Sequence, residues 1–430
     1  MKFRCERDVL LEALSTAGRA IASRGGALPV LSGVRLEAAG GELHVVGTDL
    51  DVTIQVTTGV AVATPGVVVA PGRLVADIVR ALDPGAVTVE SDDDEDELRI
   101  SAGRSNFSVR THPAGDFPRL PPVSGTAVKL PVAGLTDALR QVVRAASSED
   151  SRPILTGVLM AAEQGGLRLV ATDSYRLAVR DLPGVGVLRE DQHVLVPSRA
   201  LAEVQRLLSA AAKGSPSAPS APSAPSAPSA AGGDAGDAGE AGDAAASEGA
   251  DAVSGAPGTS GAGGGSGSAS GSEGLAAVLR LGDHDATFEV GSVRLTTRLI
   301  EGDFPNYRAL IPTSYPNSLI VGREALLDAV RRVKLMVKDN TTPVRIAMRS
   351  DGIELTVITQ DWGQATEEVD AKYEGAEMTV AFNPNYLIDG VEAITSDEVQ
   401  LETLDALKPA TLRPTEGTDY LYLLMPVRVS

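Results

Sequence analysis

Cysteine is almost missing from this 430-residue chain. The single one, Cys5, excludes an internal disulfide framework and fits a reducing compartment; in the predicted first strand it reads as a small buried hydrophobe. No apolar run reaches membrane-spanning length. The opening Met1–Asp8 has no apolar secretion region, so the reading is a cytoplasmic protein with no membrane partner. Histidine is scarce too: His44, His112, His193 and His284 are scattered without metal-ligand spacing. A phosphate-binding glycine loop, a paired-histidine zinc helix and a nucleophile elbow are all lacking. The chain therefore reads as no enzyme, with no metal, no cofactor and no catalytic residue. The run Asp92–Asp96 lacks the glycine and spaced ligands of a calcium loop and reads as an acidic hairpin turn. Positive charge is also short, 38 Lys and Arg against 57 Asp and Glu, for a net charge of −19. Taken alone, that balance argues against a nucleic-acid protein.

What the chain has is repetition. Val67–Leu82 recurs as Val194–Leu208 and more faintly as Met378–Ile394. Each copy is a short apolar run, a turn residue, then apolar positions at helical spacing. A marker precedes each copy: Gly47-Thr-Asp49-Leu, Ala171-Thr-Asp173-Ser and Thr359-Gln-Asp361-Trp. Asp49 to Arg73 is 24 residues, Asp173 to Arg199 is 26 and Asp361 to Asn385 is 24. A third marker, Asp-Phe-Pro, closes the first two copies at Asp116–Pro118 and Asp303–Pro305. Such self-similarity decides architecture before any single residue does.

The spacing exposes an insertion. Pro71 to Pro197 is 126 residues, but Pro197 to Asn383 is 186. The excess falls in Lys213–Gly274, made of Ser-Ala-Pro triplets followed by Gly, Ala, Asp and Ser, with no aromatic residue and one valine. Such a segment buries too little apolar surface to offset ordering entropy and reads as a disordered loop. As a loop addition its removal should leave the fold intact. The remaining 368 residues divide into three domains of ordinary size, 1–125, 126–315 (carrying the insertion 213–274) and 316–430.

Periodicity and start signals place two helices in each domain, near 6–20, 72–82, 132–146, 198–209, 322–338 and 383–394. These windows hold 13 Lys and Arg against 10 Asp and Glu, so the helices are net basic in an acidic chain. Alone, each helix reads as a solvated charged face. If the domains are related by rotation, equivalent helices face the same way and their arginines add into one surface able to track a phosphate backbone. Short strands such as Thr53–Thr57, Leu167–Ala171 and Leu295–Leu299 lie between them. The fold class is α+β, three repeats each with two helices packed on antiparallel sheets.

In order and spacing, several segments resemble the bacterial sliding clamps, the β subunits of DNA polymerase III. They are Leu28-Pro-Val-Leu31, Gly47–Leu50, Gly103–Ser108, Asp116–Pro118, Ala171–Ala178, Phe304–Arg308, Gly375–Met378 and Met425–Arg428. The resemblance covers the chain outside the insertion. It implies a head-to-tail homodimer ring of the DNA clamp fold, with helices lining the hole and sheets outside. It further implies a processivity factor that encircles double-stranded DNA without reading its sequence and tethers the replicative polymerase. A clamp loader and repair proteins are the other implied partners. A clamp-like scaffold paralogue is the alternative, motivated by the insertion; a hydrolase would need an acid–base pair that the sequence does not display.

The resemblance also implies site residues. The DNA-facing candidates are Arg24, Arg73, Arg80, Arg140, Arg144, Arg152, Arg199 and Arg206, with Arg24 and Arg152 in loops. The partner-peptide cleft would use Leu155, Thr172, Ser174, Tyr175, Arg176 and Leu177 of the second domain, then Pro305 and Leu310. Its third-domain side would be Leu423, Leu424, Met425, Pro426, Val427 and Arg428. Apolar and methionine surface receives apolar anchors of an extended peptide. Ala309 stands where some clamps carry arginine, and Tyr175 where others carry histidine or phenylalanine. At the ring joint Arg104 and Phe107 would face Leu335, Met336, Glu367 and Glu368 of a second copy.

Overall fold

Six helices form where apolar spacing predicts them: α1 (Arg7–Ala17), α2 (Gly72–Ala81), α3 (Val132–Val142), α4 (Ser198–Ala212), α5 (Arg323–Lys334) and α6 (Pro384–Ala393). The computed structural model describes residues 1–22, 28–91, 96–120, 122–163, 165–190, 192–213, 276–339, 341–417 and 419–428. The inserted loop beyond Lys213, Arg24 and the tip of the acidic hairpin lie outside them. Each helix buries one stripe; α4, for example, buries Ala200, Leu201, Val204, Leu207 and Leu208 at three- and four-residue spacing. Burying each such leucine or valine contributes roughly 1.5–3 kcal/mol. Helix entry is pre-set locally. Pro71, Pro131 and Pro197 precede α2, α3 and α4, and the Asn383 side chain caps α6 by accepting from the amides of Asn385 and Tyr386.

Each helix follows directly on a strand, and the helices pack in pairs, α1 on α2, α3 on α4 and α5 on α6. Antiparallel sheets carry them. A five-stranded sheet is built from the first repeat alone and a four-stranded sheet from the third alone; two further sheets have eight and nine strands. The two larger sheets cross the repeat boundaries. Strand Val293–Arg298 pairs with Val52–Gly59, Leu295 opposite Ile54. Strand Arg176–Leu182 pairs with Tyr420–Leu424, Leu177 opposite Leu423. Repeats are thus joined by backbone ladders rather than by side chains alone.

The sequence markers acquire structural meaning. The Thr48 hydroxyl donates to the carbonyl of Val52, and Thr172 does the same to Arg176. Asp49 and Asp173 each accept two amides of the same hairpin turn. Leu50 and Ser174 take the left-handed backbone conformation that the turn demands, at φ 83° and 81°. In the third repeat Thr359 donates to Gly363 with the same four-residue offset. The third turn is nevertheless one residue tighter, since Thr359 pairs with Gly363 across the ladder where Thr48 pairs with Thr53 and Thr172 with Leu177. In the Asp-Phe-Pro markers, Phe117 and Phe304 fold over the outer sheet face of the first two repeats, in two small cores opposite the helix side.

Candidate functional site

Where the first and second repeats meet, Arg19, Arg73, Arg199 and Arg206 line a cavity of about 600 Å³ with Asp49 and Glu203. The arginines there are partly engaged. Arg199 pairs with Asp49, and Arg206 with Glu203 at 2.6 Å. Arg19 reaches the same Glu203 across the joint at 3.6 Å. Arg80 is exposed and pairs with Asp77 one turn back.

Where the second and third repeats meet, two candidate arginines turn into the joint. Arg140 donates to the backbone carbonyl of Glu392 at 3.1 Å, and Gln141 donates to that of Ala393 at 3.0 Å. Arg144 meets the Glu392 carboxylate at 2.7 Å, which Arg331 also grips at 2.9 Å. Burial works to raise the Glu392 carboxyl, but these two guanidinium groups outweigh it and hold it below its ordinary value. Arg140, in the last turn of α3, and Arg144, just after it, therefore tie the second repeat to α6, and Arg144 keeps 48% of its side chain exposed beside these contacts. The cause is the acidic end of α6, which tertiary packing brings against them.

The cleft forms on the outer face of the nine-stranded sheet. Its floor is apolar: Leu177 and Leu423, paired across the joint, are buried with Leu159, Val170, Leu195 and Tyr307. Around it stand exposed Tyr175, Pro305, Leu310 and Met425, with Val427 half-buried. The tail is strapped down by backbone bonds. The Met425 amide donates to the Tyr175 carbonyl at 2.9 Å and the Val427 amide to that of Ala381 at 2.7 Å. Behind the rim, Arg176 is only 10% exposed and spans the joint. It donates to Asp173 at 3.0 Å and to Asp389 at 2.5 Å, and its guanidinium stacks on the Tyr386 ring at 4.4 Å. Burial tends to lower this guanidinium; the Tyr422 hydroxyl, Asp389 and Asp173 outweigh that and raise it, so it stays charged. The Tyr422 hydroxyl donates to the Tyr386 carbonyl at 3.0 Å. Its ring lies against Gly390 of α6, where any Cβ would come within 2.5 Å.

Several cleft candidates change role. Leu424 is fully buried in the helix-side core, because successive strand residues face opposite ways and its neighbour Leu423 takes the cleft side. Thr172 is buried, its hydroxyl spent in the turn. Leu155 is buried, and the Ser174 hydroxyl accepts from Arg152 at 3.0 Å. Pro426 and Arg428 continue the strapped tail, half-buried and exposed respectively. Tyr386 and Asp389 were missed. Tyr386 stacks on Tyr175 with ring centroids 6.4 Å apart. Its signal was the repeat itself, since Asn383-Pro-Asn-Tyr386 opens the helix of the third copy.

The five- and four-stranded sheets finish in open edge strands, Ser105–Arg110 in the first and Gly363–Val369 in the second. Arg104, Phe107 and Arg110 are exposed at the first, and Glu368 at the second. Glu367 is engaged by Arg332 through two hydrogen bonds of 2.9 and 2.8 Å. Leu335 is 79% exposed, whereas Met336 packs on its own core, so of that pair only Leu335 is a free surface residue. The exposed turn after α5 explains the difference: it projects one side chain outward and the next inward.

This arrangement of repeated helix pairs, joint-crossing sheets and open ends has clear relatives. Sequence models of the DNA polymerase III beta subunit match in order: the N-terminal domain at residues 1–121, the central domain at 129–214 and the C-terminal domain at 308–428. The beta sliding clamp of Streptomyces coelicolor is 33% identical over 442 residues, covering 100% of both chains. That of Synechocystis is 30% identical over 450 residues, again covering both fully. The crystal structure of a sliding clamp from Bartonella birtlesii bound to griselimycin superposes with a TM-score of 0.80 at 26% identity, covering 100% of each chain. The chain belongs to the DNA polymerase III β subunit family, the bacterial sliding clamps that act as processivity factors of the replicative polymerase.

Proposed function

We propose that two copies close head to tail into a ring around duplex DNA in the cytoplasm, and that the outer cleft takes peptides of the polymerase, the clamp loader and repair proteins. The ring acts by topology and carries no catalytic site of its own. The observation that supports this best is the pre-paired arginine surface at the first joint. Arg199 and Arg206 already hold carboxylate partners, Asp49 and Glu203. Such arginines exchange partners with a passing phosphate at little net gain, which suits sliding rather than gripping. Arg73 and Arg80 supply further positive charge on the same side, and Arg152 sits at the rim between Ser174 and Glu149.

The peptide end of the proposal rests on the cleft's exposed Tyr175, Leu310 and Met425 over a buried leucine floor. An extended peptide would set apolar anchors between them. For the ring joint, the arginine-bearing edge strand of one copy would add to the glutamate-bearing edge strand of the next, with Phe107 at its centre.

The test is retention on DNA after loading by the cognate loader with ATP. Retention on a nicked circle that survives high salt and is lost when the same DNA is linearised is the expected result. Equal retention on circle and linear DNA, falling steeply with salt, would reduce the protein to an ordinary electrostatic binder. No retention on either, with the loader shown competent on another clamp, would favour the scaffold paralogue.

A further inference from the structure

The chain's one tryptophan, Trp362, is 54% exposed in the turn that leads into the open edge strand Gly363–Val369. Exposed beside it in sequence and fold are Ile358, on the preceding strand, and Leu335, after α5; the Lys338–Asp361 ion pair at 2.8 Å ties that turn to the α5 end. Removing such a ring from water is favourable, so an uncovered tryptophan beside an unpaired strand marks a contact surface.

In the first repeat, Leu74 is 49% exposed in the first turn of α2. Its place relative to the other edge strand is set by the backbone. Val69, on the strand leading into α2, pairs with His112 just past the edge strand Ser105–Arg110. The His112 amide donates to the Val69 carbonyl at 2.8 Å. The start of α2 therefore flanks the C-terminal end of that edge.

Every strand pair among the described residues for which a register is resolved is antiparallel, as in Arg176–Leu182 with Tyr420–Leu424. If the two open edges pair in the same sense, the C-terminal end of Ser105–Arg110 lies against the N-terminal end of Gly363–Val369. Leu74 of one copy then meets Trp362 of the next. We propose that Trp362 and Leu74 form an apolar contact across the ring joint, outside the Phe107 centre, so that closing the ring buries the tryptophan. This deepens the ring reading above and rests on it. Because the chain has no other tryptophan, its fluorescence reports the joint alone.

The experiment uses the full chain. Emission is followed while the protein is diluted, and dimer dissociation is measured by analytical ultracentrifugation for wild type, Trp362→Ala, Leu74→Ala and the double variant. Both side chains are exposed in the single chain, so the variants keep its core, which circular dichroism checks. The expected results are an emission maximum that moves to the red on dissociation and a dissociation constant raised on the order of 30-fold by Trp362→Ala. The double variant should lose less than the product of the two single losses. A dimer whose emission does not change on dilution, and which Trp362→Ala leaves as tight as wild type, would overturn the contact while the ring stands. A chain that stays monomeric at every concentration would overturn both.

Discussion

Replacing Arg176 by methionine should cost about 3 kcal/mol, near the lower end of the range for breaking a buried ion pair. The reasoning starts from exposure. Arg176 and Asp173 are each 10% exposed, so their attraction is little screened and neither carboxylate nor guanidinium can recover its hydration. Removing the cation leaves Asp173 with two turn amides and the Tyr386 hydroxyl but no positive charge, and leaves Asp389 beside it without its main partner. The loss is moderated at Asp389, whose side chain is 31% exposed and has Arg144 at 3.8 Å as a second cation. The stacking on Tyr386 also goes, while methionine retains part of the packing. Urea unfolding of Arg176→Met, Asp173→Asn and the double variant measures it. Asparagine keeps the turn's acceptor oxygen, so the double variant should cost about 2 kcal/mol less than the sum of the singles. A single-variant cost below about 1 kcal/mol, with strictly additive effects, would mean a solvent-screened surface pair and would refute the reasoning.

Glu392 should make the second joint acid-sensitive. Its carboxyl is held below the ordinary value in the folded chain, so its contribution is complete above that value and drains away as pH falls through the lowered one. Between about pH 6 and pH 3, wild type should lose more stability than Glu392→Gln, and parallel stability curves would refute this. At the first joint, Asp49→Asn with Glu203→Gln should free Arg199 and Arg206. DNA binding by the unloaded protein should strengthen, and its logarithmic salt slope should steepen by roughly 2 if each arginine meets a phosphate. An unchanged slope would show that these arginines do not face DNA.

Periodicity was enough to locate the helices, because a buried stripe must recur with the helix turn whatever lies beyond it. The triple repeat was legible for the same reason: each copy solves the same local problem with the same residue types. Asp49 and Asp173 serve one hairpin turn, and Phe117 and Phe304 cover one sheet face. The family was readable from motifs kept in order, which local chemistry preserves.

What distant segments do to one another could not be read this way. Nothing near Arg140 or Arg144 in sequence announces that they meet Glu392, some 250 residues away, rather than solvent. The apolar run Leu423-Leu-Met425 does not say which leucine faces the cleft until strand pairing assigns the faces. Tyr386 joins the cleft only because α6 is carried against the Tyr175 turn. Local propensity is written in neighbours along the chain, whereas ion-pair choice and side-chain exposure depend on what the fold brings near. The sequence by itself determined the elements, the repeat and the family; tertiary structure alone decided which charges are spent at the joints and which apolar side chains remain for a partner.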